Sequence, residues 1–297
     1  MVHDVIIVGG SYAGMSAALP LARARRSVLI IDAGLRRNRF ATASHGLVAQ
    51  DGKEPGRIAS EARGQLLRYP TVEWRAGTAT AASGEVDAFR VDTDDGSSFE
   101  GRRLVLAGGV RDILPEVPGL AERWGRSVFH CPYCHGYELD MGEIGVLASS
   151  ALAMHQALML PDWGRTTLYL NGAFEPDDQQ LEALRQRGVM VERERVEAIT
   201  GEGADLILRD GRLATCKGLF IQAGTEPVSP LATQLGCAME RGPLGSYVHT
   251  DGMKETTVRG VFSCGDMARG AGSVPLAVGD GAQAGVGVHR TLLFPDW

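Results

Sequence analysis

The sequence predicts an α/β protein in which short buried strands alternate with helices. Three segments support this class: a strand, glycine turn, helix and second strand at residues 3–34, a strand that runs into small-residue segments at residues 260–285, and further apolar strands between them. Strands that alternate with helical patterns are typical of βαβ units, in which helices connect parallel strands. The chain has 297 residues, of which 44% are hydrophobic, and can bury a core in one large or two ordinary domains.

The first βαβ unit carries a glycine turn that is typical of dinucleotide-binding domains. In HDVIIVGGSYAGMSAALPLARARRSVLIIDAG, Gly9 suits a tight turn, Ser11 is small enough for a pyrophosphate to approach the backbone, and Gly14 allows close helix packing. Asp32 follows about 20 residues later, where a carboxylate can accept hydrogen bonds from a ribose. The alternative is a packing turn without a ligand. If a cofactor binds, we expect it at Gly9, Gly10, Ser11, Ala13, Gly14, Asp32 and Ala33.

Two later segments favour FAD as the cofactor of this unit. The segment GVFSCGDMARGAGSVPLAVGDGAQAG runs from a short strand into Gly265 and Asp266 and then into a small-residue helix. In two-part flavoproteins such a segment closes the FAD site, with the aspartate on the ribityl chain and, here, residues 275–278 facing the flavin ring. The strand RLVLAGG supplies a third piece. The further residues expected at FAD are Ala107, Gly108, Gly265, Asp266, Ala277 and Val278.

A Cys-Pro-Tyr-Cys-His segment lies near the middle of the chain. Of five cysteines, at 131, 134, 216, 237 and 264, only Cys131 and Cys134 form a close pair, and His130 and His135 flank it. The pair could be half of a zinc site, two packed thiols or a redox-active disulfide. A structural zinc site needs four ligands from two clusters, and the other cysteines are isolated. We therefore predict no metal site, and the neighbouring FAD elements favour a redox disulfide.

With these elements in this order, the chain resembles the low-molecular-weight thioredoxin reductase family over nearly its whole length. The resemblance implies two Rossmann-like domains of the three-layer ββα type, the second inserted into the first. The FAD domain would comprise residues 1–114 and 245–297. The inserted domain, residues 115–244, would carry the cysteine pair. The resemblance also implies a homodimer.

The inserted domain departs from the family at the NADPH site. Where the family has a second G-x-G-x-x-A turn, the chain has Ala148-Ser149-Ser150-Ala151-Leu152-Ala153, without the first two glycines. A side chain at Ala148 disfavours positive φ, and one at Ser150 narrows the approach to a pyrophosphate. Asn171 and Gly172 stand where the family carries adjacent arginines, with Glu175 close behind. We therefore expect that the protein does not use NADPH.

The resemblance assigns roles to the cysteine segment. It implies that Cys131 exchanges with the substrate and that Cys134 is the flavin-side thiol. His135 replaces the family's proton-transferring acid, and a histidine can accept and donate a proton near neutral pH or, when charged, favour a nearby thiolate. His130, His45 and His249 are further histidines whose neighbourhoods the sequence does not place.

Together with the altered NADPH turn, this motif resembles the dithiol oxidase branch of the family, which closes disulfides in gliotoxin-, holomycin- and romidepsin-type products. The implied reaction oxidises a small dithiol, or a thioredoxin-like protein, and passes the electrons through FAD to O2. Two alternatives stay open: a disulfide reductase fed by ferredoxin, another flavoprotein or NAD(P)H, and a non-enzymatic flavin-binding redox sensor.

Composition limits the other partners. The net charge is −6 and no basic run occurs, so nothing favours nucleic acid or an anionic membrane surface. No apolar run approaches the roughly 20 residues of a membrane span, and the chain enters DVIIVGG without the pattern of a secretory leader. We expect a cytoplasmic protein.

Overall fold

The computed structural model describes residues 2–294, in which strands and helices follow one another along the whole chain. The first third contains β1 (Val2–Val8), α1 (Tyr12–Arg23), β2 (Val28–Asp32), α2 (Pro55–Leu66), β3 (Val72–Ala76), β4 (Ala79–Ser83), β5 (Phe89–Thr93), β6 (Ser98–Leu106) and β7 (Val110–Ile113). The middle contains β8 (Val128–Phe129), α3 (Pro132–His135), β9 (Met141–Leu147), α4 (Ala153–Met159), β10 (Gly164–Tyr169), α5 (Asp178–Gln186), β11 (Met190–Glu192), β12 (Val196–Thr200), β13 (Asp205–Leu208), β14 (Leu213–Ala214) and β15 (Gly218–Ile221). The last part contains β16 (Gly224–Pro227), α6 (Leu231–Gln234), β17 (Met239–Gly242), β18 (Gly245–Val248), β19 (Val261–Ser263) and α7 (Val274–Leu293).

The chain divides into two compact units. The described part of the first unit comprises residues 2–39, 54–111 and 225–294, and the second comprises residues 40–53 and 112–224. Residues 225–244, which we predicted to be in the inserted domain, lie in the first unit, and the segment 40–53 lies in the second. Met1 and residues 295–297, which the predicted domain spans include, lie outside the described residues.

A mixed sheet forms the centre of the first unit. Its strand order is β3-β2-β1-β6-β5-β4, and β19 pairs with β6. The pairs β1–β2, β1–β6, β2–β3 and β6–β19 are parallel, as the βαβ pattern predicts, and β4 and β5 join in antiparallel fashion. Strand β1 is a continuous apolar run with fully buried Val5, Ile6 and Ile7, as expected for a parallel strand covered on both faces.

Helices α1 and α7 pack closely in the first unit because glycines line their contact. A Cβ atom on Gly281 would lie 2.1 Å from the carbonyl oxygen of Ala13, and one on Gly285 would lie 2.2 Å from that of Ala17. Any side chain at these two glycines would collide with backbone. The helix near the end of the chain therefore fixes the position of the first helix.

The second unit has a five-stranded parallel sheet in the order β11-β10-β9-β15-β8, together with the antiparallel sheet β12-β13-β14. Alternate residues of β9 enter different cores, since successive side chains on a strand point to opposite faces. Ile144 and Val146 pack with residues of α4 and α5, whereas Leu147 packs with the three-stranded sheet. Layers thus cover both faces of the parallel sheet. Within residues 2–294, no helix combines the length and apolar character needed to cross a bilayer.

Candidate active site

The cysteine pair lies directly after the edge strand of the second unit's parallel sheet. Strand β8 pairs with β15 and ends at Phe129, and Cys131 then precedes the single turn of α3. The sulfur atoms of Cys131 and Cys134 form a disulfide, with 5.3 Å between their Cα atoms. Both cysteines are partly exposed. The geometry therefore matches the redox disulfide that the sequence favours. Within residues 2–294, no group of three or more His, Cys, Asp or Glu side chains is arranged to hold a metal ion.

A buried glutamine fixes the backbone just before the disulfide. Gln156 on α4 is 4% exposed, and its Nε2 donates a hydrogen bond to the carbonyl oxygen of His130 over 2.8 Å. The same amide contacts the carbonyl oxygen of Ile221 at the end of β15. Gln156 therefore holds the cysteine segment against the sheet. Sequence reasoning missed it, because a glutamine on a mostly apolar helix gives no signal about its partner.

His135 is half-buried and packs against an aromatic ring. Its imidazole stacks on Phe129 with 4.3 Å between the ring centroids. Burial lowers the pKa of His135 to about 4, although nearby Glu138 acts to raise it and His45 acts to lower it. At neutral pH the ring is thus uncharged. Because burial disfavours the imidazolium, the neutral ring is the form that would act at neutral pH, and such a ring can accept a proton. The catalytic role of His135 stays a prediction.

The buried His135 makes stability depend on pH. An unfolded histidine has a pKa near 6.5, and the folded value is about 4, so the unfolded chain binds more protons between these values. The free energy of unfolding contributed by this group is therefore fully present above about pH 6.5 and falls as the pH drops towards 4. We expect the Tm of the wild type to fall more steeply than that of His135→Gln between pH 7 and pH 5. Parallel Tm curves for the two proteins would contradict this.

Among the other three histidines, His45 has a carboxylate link to the disulfide segment. His45 lies in the segment 40–53, with its Nε2 3.3 Å from Oε1 of Glu138 and its Nδ1 3.5 Å from Oδ2 of Asp51. His130 lies beside Trp124, with 5.9 Å between the ring centroids. His249 pairs with Glu240 in the first unit. No sequence pattern brings His45 to Glu138, since the two residues are far apart along the chain.

The glycine turn of the first unit has the geometry that a dinucleotide requires. Gly9 has φ +105°, and a Cβ there would lie 2.3 Å from the carbonyl oxygen of Ala107. A Cβ on Gly14 would lie 1.8 Å from the carbonyl oxygen of Gly9, and one on Gly10 would strike Trp74. The backbone can make this turn only with glycine at these positions. The turn at residues 9–14, here called the cradle, therefore exposes backbone that no side chain covers at its glycines, as the predicted pyrophosphate site needs.

The N-terminus of α1 is open to an anion. The first-turn N–H groups of a helix have no intrahelical acceptor, the side chain of Ser11 caps none of them, and the first turn carries no acidic residue. Asp32, at the end of β2, accepts a hydrogen bond from the backbone N–H of Gly10 at 3.0 Å. Its second oxygen remains for a ribose hydroxyl. These residues fit FAD, with the pyrophosphate on the α1 N-terminus.

The predicted residues near the end of the chain join the same cradle. Gly265 has φ +73°, and a Cβ there would lie 2.8 Å from the Cβ of Ala13 and 3.7 Å from that of Ala277. The carbonyl oxygen of Val278 accepts a 2.6 Å hydrogen bond from Ser16 on α1. Asp266 makes an unexpected ion pair with Arg37 at 2.8 Å, which holds its carboxylate in place.

The turn of the second unit at residues 148–153 differs from the turn at residues 9–14 both in its backbone conformation and in its helix N–H groups. Ala148 stands where Gly9 stands in the first unit, and its φ is not positive. The N–H groups of Ala153, Met154 and His155 donate to the carbonyl oxygens of residues 150, 151 and 152, each at 3.1 Å. The first three N–H groups of α4 therefore already have acceptors three residues earlier, in the hydrogen-bond pattern of a 3₁₀ turn.

Two arginines that the sequence analysis did not consider lie near the predicted clamp position. The guanidinium of Arg195 lies within about 3.3 Å of where a Cβ on Gly172 would be, and Arg193 forms an ion pair with Glu175. Asn171 has φ +51°, and its side chain accepts a hydrogen bond from the N–H of Val196. Cations are thus present at this strand end, and one of them is already paired with a carboxylate.

A family model described as pyridine nucleotide-disulphide oxidoreductase matches residues 3–281. The chain belongs to this family. The thioredoxin reductase tcpT of Claviceps purpurea (strain 20.1) is 34% identical over 304 residues, which cover 98% of this chain and 94% of that protein. An oxidoreductase structure from Agrobacterium tumefaciens is 57% identical, with a TM-score of 0.98 over 100% of both chains. The structure of HlmI is 34% identical, with a TM-score of 0.91 over 99% of this chain and 94% of that one.

Membership in the pyridine nucleotide-disulphide oxidoreductase family confirms three predictions. The fold is of the Rossmann-like α/β class, the resemblance to thioredoxin reductases holds over nearly the whole chain, and the protein is a flavoprotein oxidoreductase that acts on sulfur groups. FAD is its cofactor. The non-enzymatic sensor is therefore excluded as the description of this chain.

Proposed function

We propose that this pyridine nucleotide-disulphide oxidoreductase is a dithiol oxidase, which converts a substrate dithiol to a disulfide, passes the electrons to O2 and does not use NADPH. The observation that supports it is the start of α4, where the N–H groups that would hold an NADPH pyrophosphate donate to residues 150–152. At the start of α1 the equivalent groups are free for FAD. With the nicotinamide route weakened, electrons enter through the Cys131–Cys134 disulfide.

The disulfide exchanges with the substrate in two steps. A substrate thiolate attacks Cys131, the Cys131–Cys134 bond breaks, and Cys134 leaves as a thiolate. The second substrate thiol loses its proton and attacks the mixed disulfide, which releases the oxidised substrate and leaves both protein sulfurs reduced. Two protons leave the substrate, and in this scheme neutral His135 accepts them one at a time. Bound FAD supplies the two-electron chemistry that returns the protein dithiol to the disulfide.

The exposed surface beside the disulfide favours a small apolar substrate. Tyr133, between the two cysteines, is 73% exposed, and Tyr137 is 85% exposed. The ring of Trp163 meets Tyr133 edge to face at 5.3 Å. Aromatic side chains provide large contact area with little loss of conformational entropy. A small dithiol with an apolar body therefore suits this surface, and a thioredoxin-like protein is the second class of partner. The homodimer and the cytoplasmic location stay predictions.

The proposal is tested by measuring which electron donor reduces the flavin. In the absence of oxygen, we expect NADPH and NADH to leave the flavin absorbance near 450 nm unchanged over minutes, because the second unit cannot hold the pyrophosphate. Dithiothreitol, in contrast, should bleach it. Admitting air should then restore the absorbance and produce hydrogen peroxide. Rapid bleaching by NADPH would overturn the proposed independence from nicotinamide.

One observation favours the second candidate, a disulfide reductase. Arg193 and Arg195 bring positive charge to the strand end where a 2′-phosphate would lie, and the curated relatives are named thioredoxin reductases. The donor could then be NADPH held in another manner, ferredoxin or another flavoprotein. Flavin reduction by reduced ferredoxin that is faster than reduction by dithiothreitol would favour this candidate over the oxidase.

A further inference from the structure

The ring of His45 lies between two carboxylates in the second unit. Its Nε2 is 3.3 Å from Glu138 and its Nδ1 is 3.5 Å from Asp51. The His45 side chain is 21% exposed, whereas that of Glu138 is 44% exposed and that of Asp51 is 67% exposed. The three side chains thus form a line that ends at a well-solvated carboxylate.

The segment that carries His45 is closed on itself by hydrogen bonds. The N–H of Ser44 donates to the carbonyl oxygen of Lys53 at 2.8 Å, and the N–H of Gly52 donates to that of Ser44 at 2.9 Å. The N–H of Gly46 donates to Oδ1 of Asp51 at 2.8 Å, and this bond is the main cause that lowers the pKa of Asp51. Asp51 therefore stays ionised and in place beside the histidine.

Glu138 connects this line to the disulfide segment. The backbone is helical from α3 through Gly136 (φ −67°, ψ −37°) to the 3₁₀ turn Tyr137–Leu139. Residues three apart on a helical backbone lie on the same face, so Glu138 follows His135 on one side of the segment. The two charged or titratable groups that act on His135 are Glu138 and His45. Both belong to the line.

The chemistry of exchange requires such a path. Each substrate thiol that attacks must lose a proton, and His135, packed on Phe129, holds a positive charge poorly because it is buried. A proton that His135 accepts must therefore move on as the next thiol arrives. Glu138 is the carboxylate that acts on His135, and His45 can take a proton at Nε2 while it releases one from Nδ1 to Asp51.

We propose that Glu138, His45 and Asp51 form a proton relay that carries the protons of the substrate thiols from His135 to solvent. The inference rests on the proposed function, in which a substrate dithiol exchanges with the Cys131–Cys134 disulfide. His45 and Glu138 act through His135, as positioning and proton-relaying residues. In each exchange with a dithiol two protons pass outward, one for each thiol that is oxidised, and the formation of hydrogen peroxide from O2 takes up two protons again.

The test measures exchange rather than oxidase turnover. The oxidised holoenzyme is mixed with dithiothreitol without oxygen, quenched with iodoacetamide and analysed by mass spectrometry for alkylated Cys131 and Cys134, from pH 6 to pH 9. We expect His45→Ala and Glu138→Gln to exchange about tenfold more slowly than wild type at pH 7. The difference should shrink towards pH 9, because the thiols then ionise without help. Added imidazole should restore part of the rate of His45→Ala.

The matched control is His249→Ala, which removes a histidine that is also paired with a carboxylate, Glu240, in the other unit. It should exchange at the wild-type rate. Wild-type rates for His45→Ala would overturn the relay, as would a loss that is equal at every pH and insensitive to imidazole, since that indicates a structural role. If the wild type exchanges rapidly yet consumes no oxygen with dithiothreitol, the oxidase proposal fails while the relay stands. A wild-type disulfide that dithiothreitol does not reduce would overturn both.

Discussion

Cys131→Ser is expected to reduce the rate at which a dithiol bleaches the flavin by about a thousandfold or more. A serine hydroxyl cannot form a disulfide with Cys134, so the substrate thiolate has no disulfide bond to attack and no electrons enter the protein. The measurement is anaerobic stopped-flow absorbance of the FAD-loaded enzyme after mixing with dithiothreitol. The variant should keep its FAD, because the residues that fit FAD lie in the first unit.

Two further variants sharpen this test. Cys237→Ser changes a cysteine of the first unit that is 6% exposed and bonded to Thr256, and it should react like the wild type. Cys134→Ser should leave Cys131 free to form a mixed disulfide with a disulfide reagent, faster than Cys134 does in Cys131→Ser. Bleaching of Cys131→Ser at the wild-type rate would disprove the exchange scheme. If Cys134 in Cys131→Ser formed the mixed disulfide faster than Cys131 in Cys134→Ser, Cys134 would be the thiol that exchanges with the substrate and Cys131 the flavin-side thiol.

Ser11→Asp is expected to weaken FAD binding by about fivefold or more. The residue precedes α1, and a carboxylate there would face the predicted pyrophosphate. Repulsion between unit charges about 4 Å apart is about 1–4 kcal/mol near a protein surface, and 1.4 kcal/mol is a tenfold change in affinity. The Kd is measured from the return of free flavin fluorescence on dilution.

The same substitution should not harm the fold. The side chain of Ser11 makes no capping hydrogen bond, and aspartate and asparagine are both favourable at this helix position. Apoprotein Tm values of Ser11→Asp and Ser11→Asn should thus equal or exceed that of the wild type. Asparagine is nearly the same size but neutral, so Ser11→Asn isolates the charge. Equal FAD affinity of the two variants would place the pyrophosphate elsewhere.

Much of the fold and the cofactor cradle could be predicted because the necessary signals are local. Gly9 and Gly14 are required by turn geometry within a few residues, and the structure places a carbonyl oxygen where each missing side chain would be. The cysteine pair is likewise a local signal, since only two residues separate Cys131 from Cys134 in the sequence and the two form a disulfide. The apolar strand β1 predicts a buried parallel strand by itself.

The remaining features depend on contacts between distant segments. His45 contacts the carboxylate of Glu138, and Gln156 donates a hydrogen bond to the backbone carbonyl oxygen of His130. The residues next to His45 and Gln156 in the sequence do not specify these partners. The compact units differ from the predicted domain bounds at residues 225–244, because Leu231 of α6 packs in the core of the first unit. The lowered pKa of His135 could not be predicted from the sequence either, since it is caused by burial in the folded chain.

The close packing of α1 against α7 has a consequence for synthesis of the protein. The ribosome makes α1 long before α7, and Gly281 and Gly285 of α7 fit against the α1 carbonyl oxygens of Ala13 and Ala17. At about 5–20 residues per second, α1 emerges roughly 10–50 s before its partner. The second unit, whose main segment is continuous from 112 to 224, can fold during that interval. We therefore expect FAD to be loaded only after α7 has been synthesised.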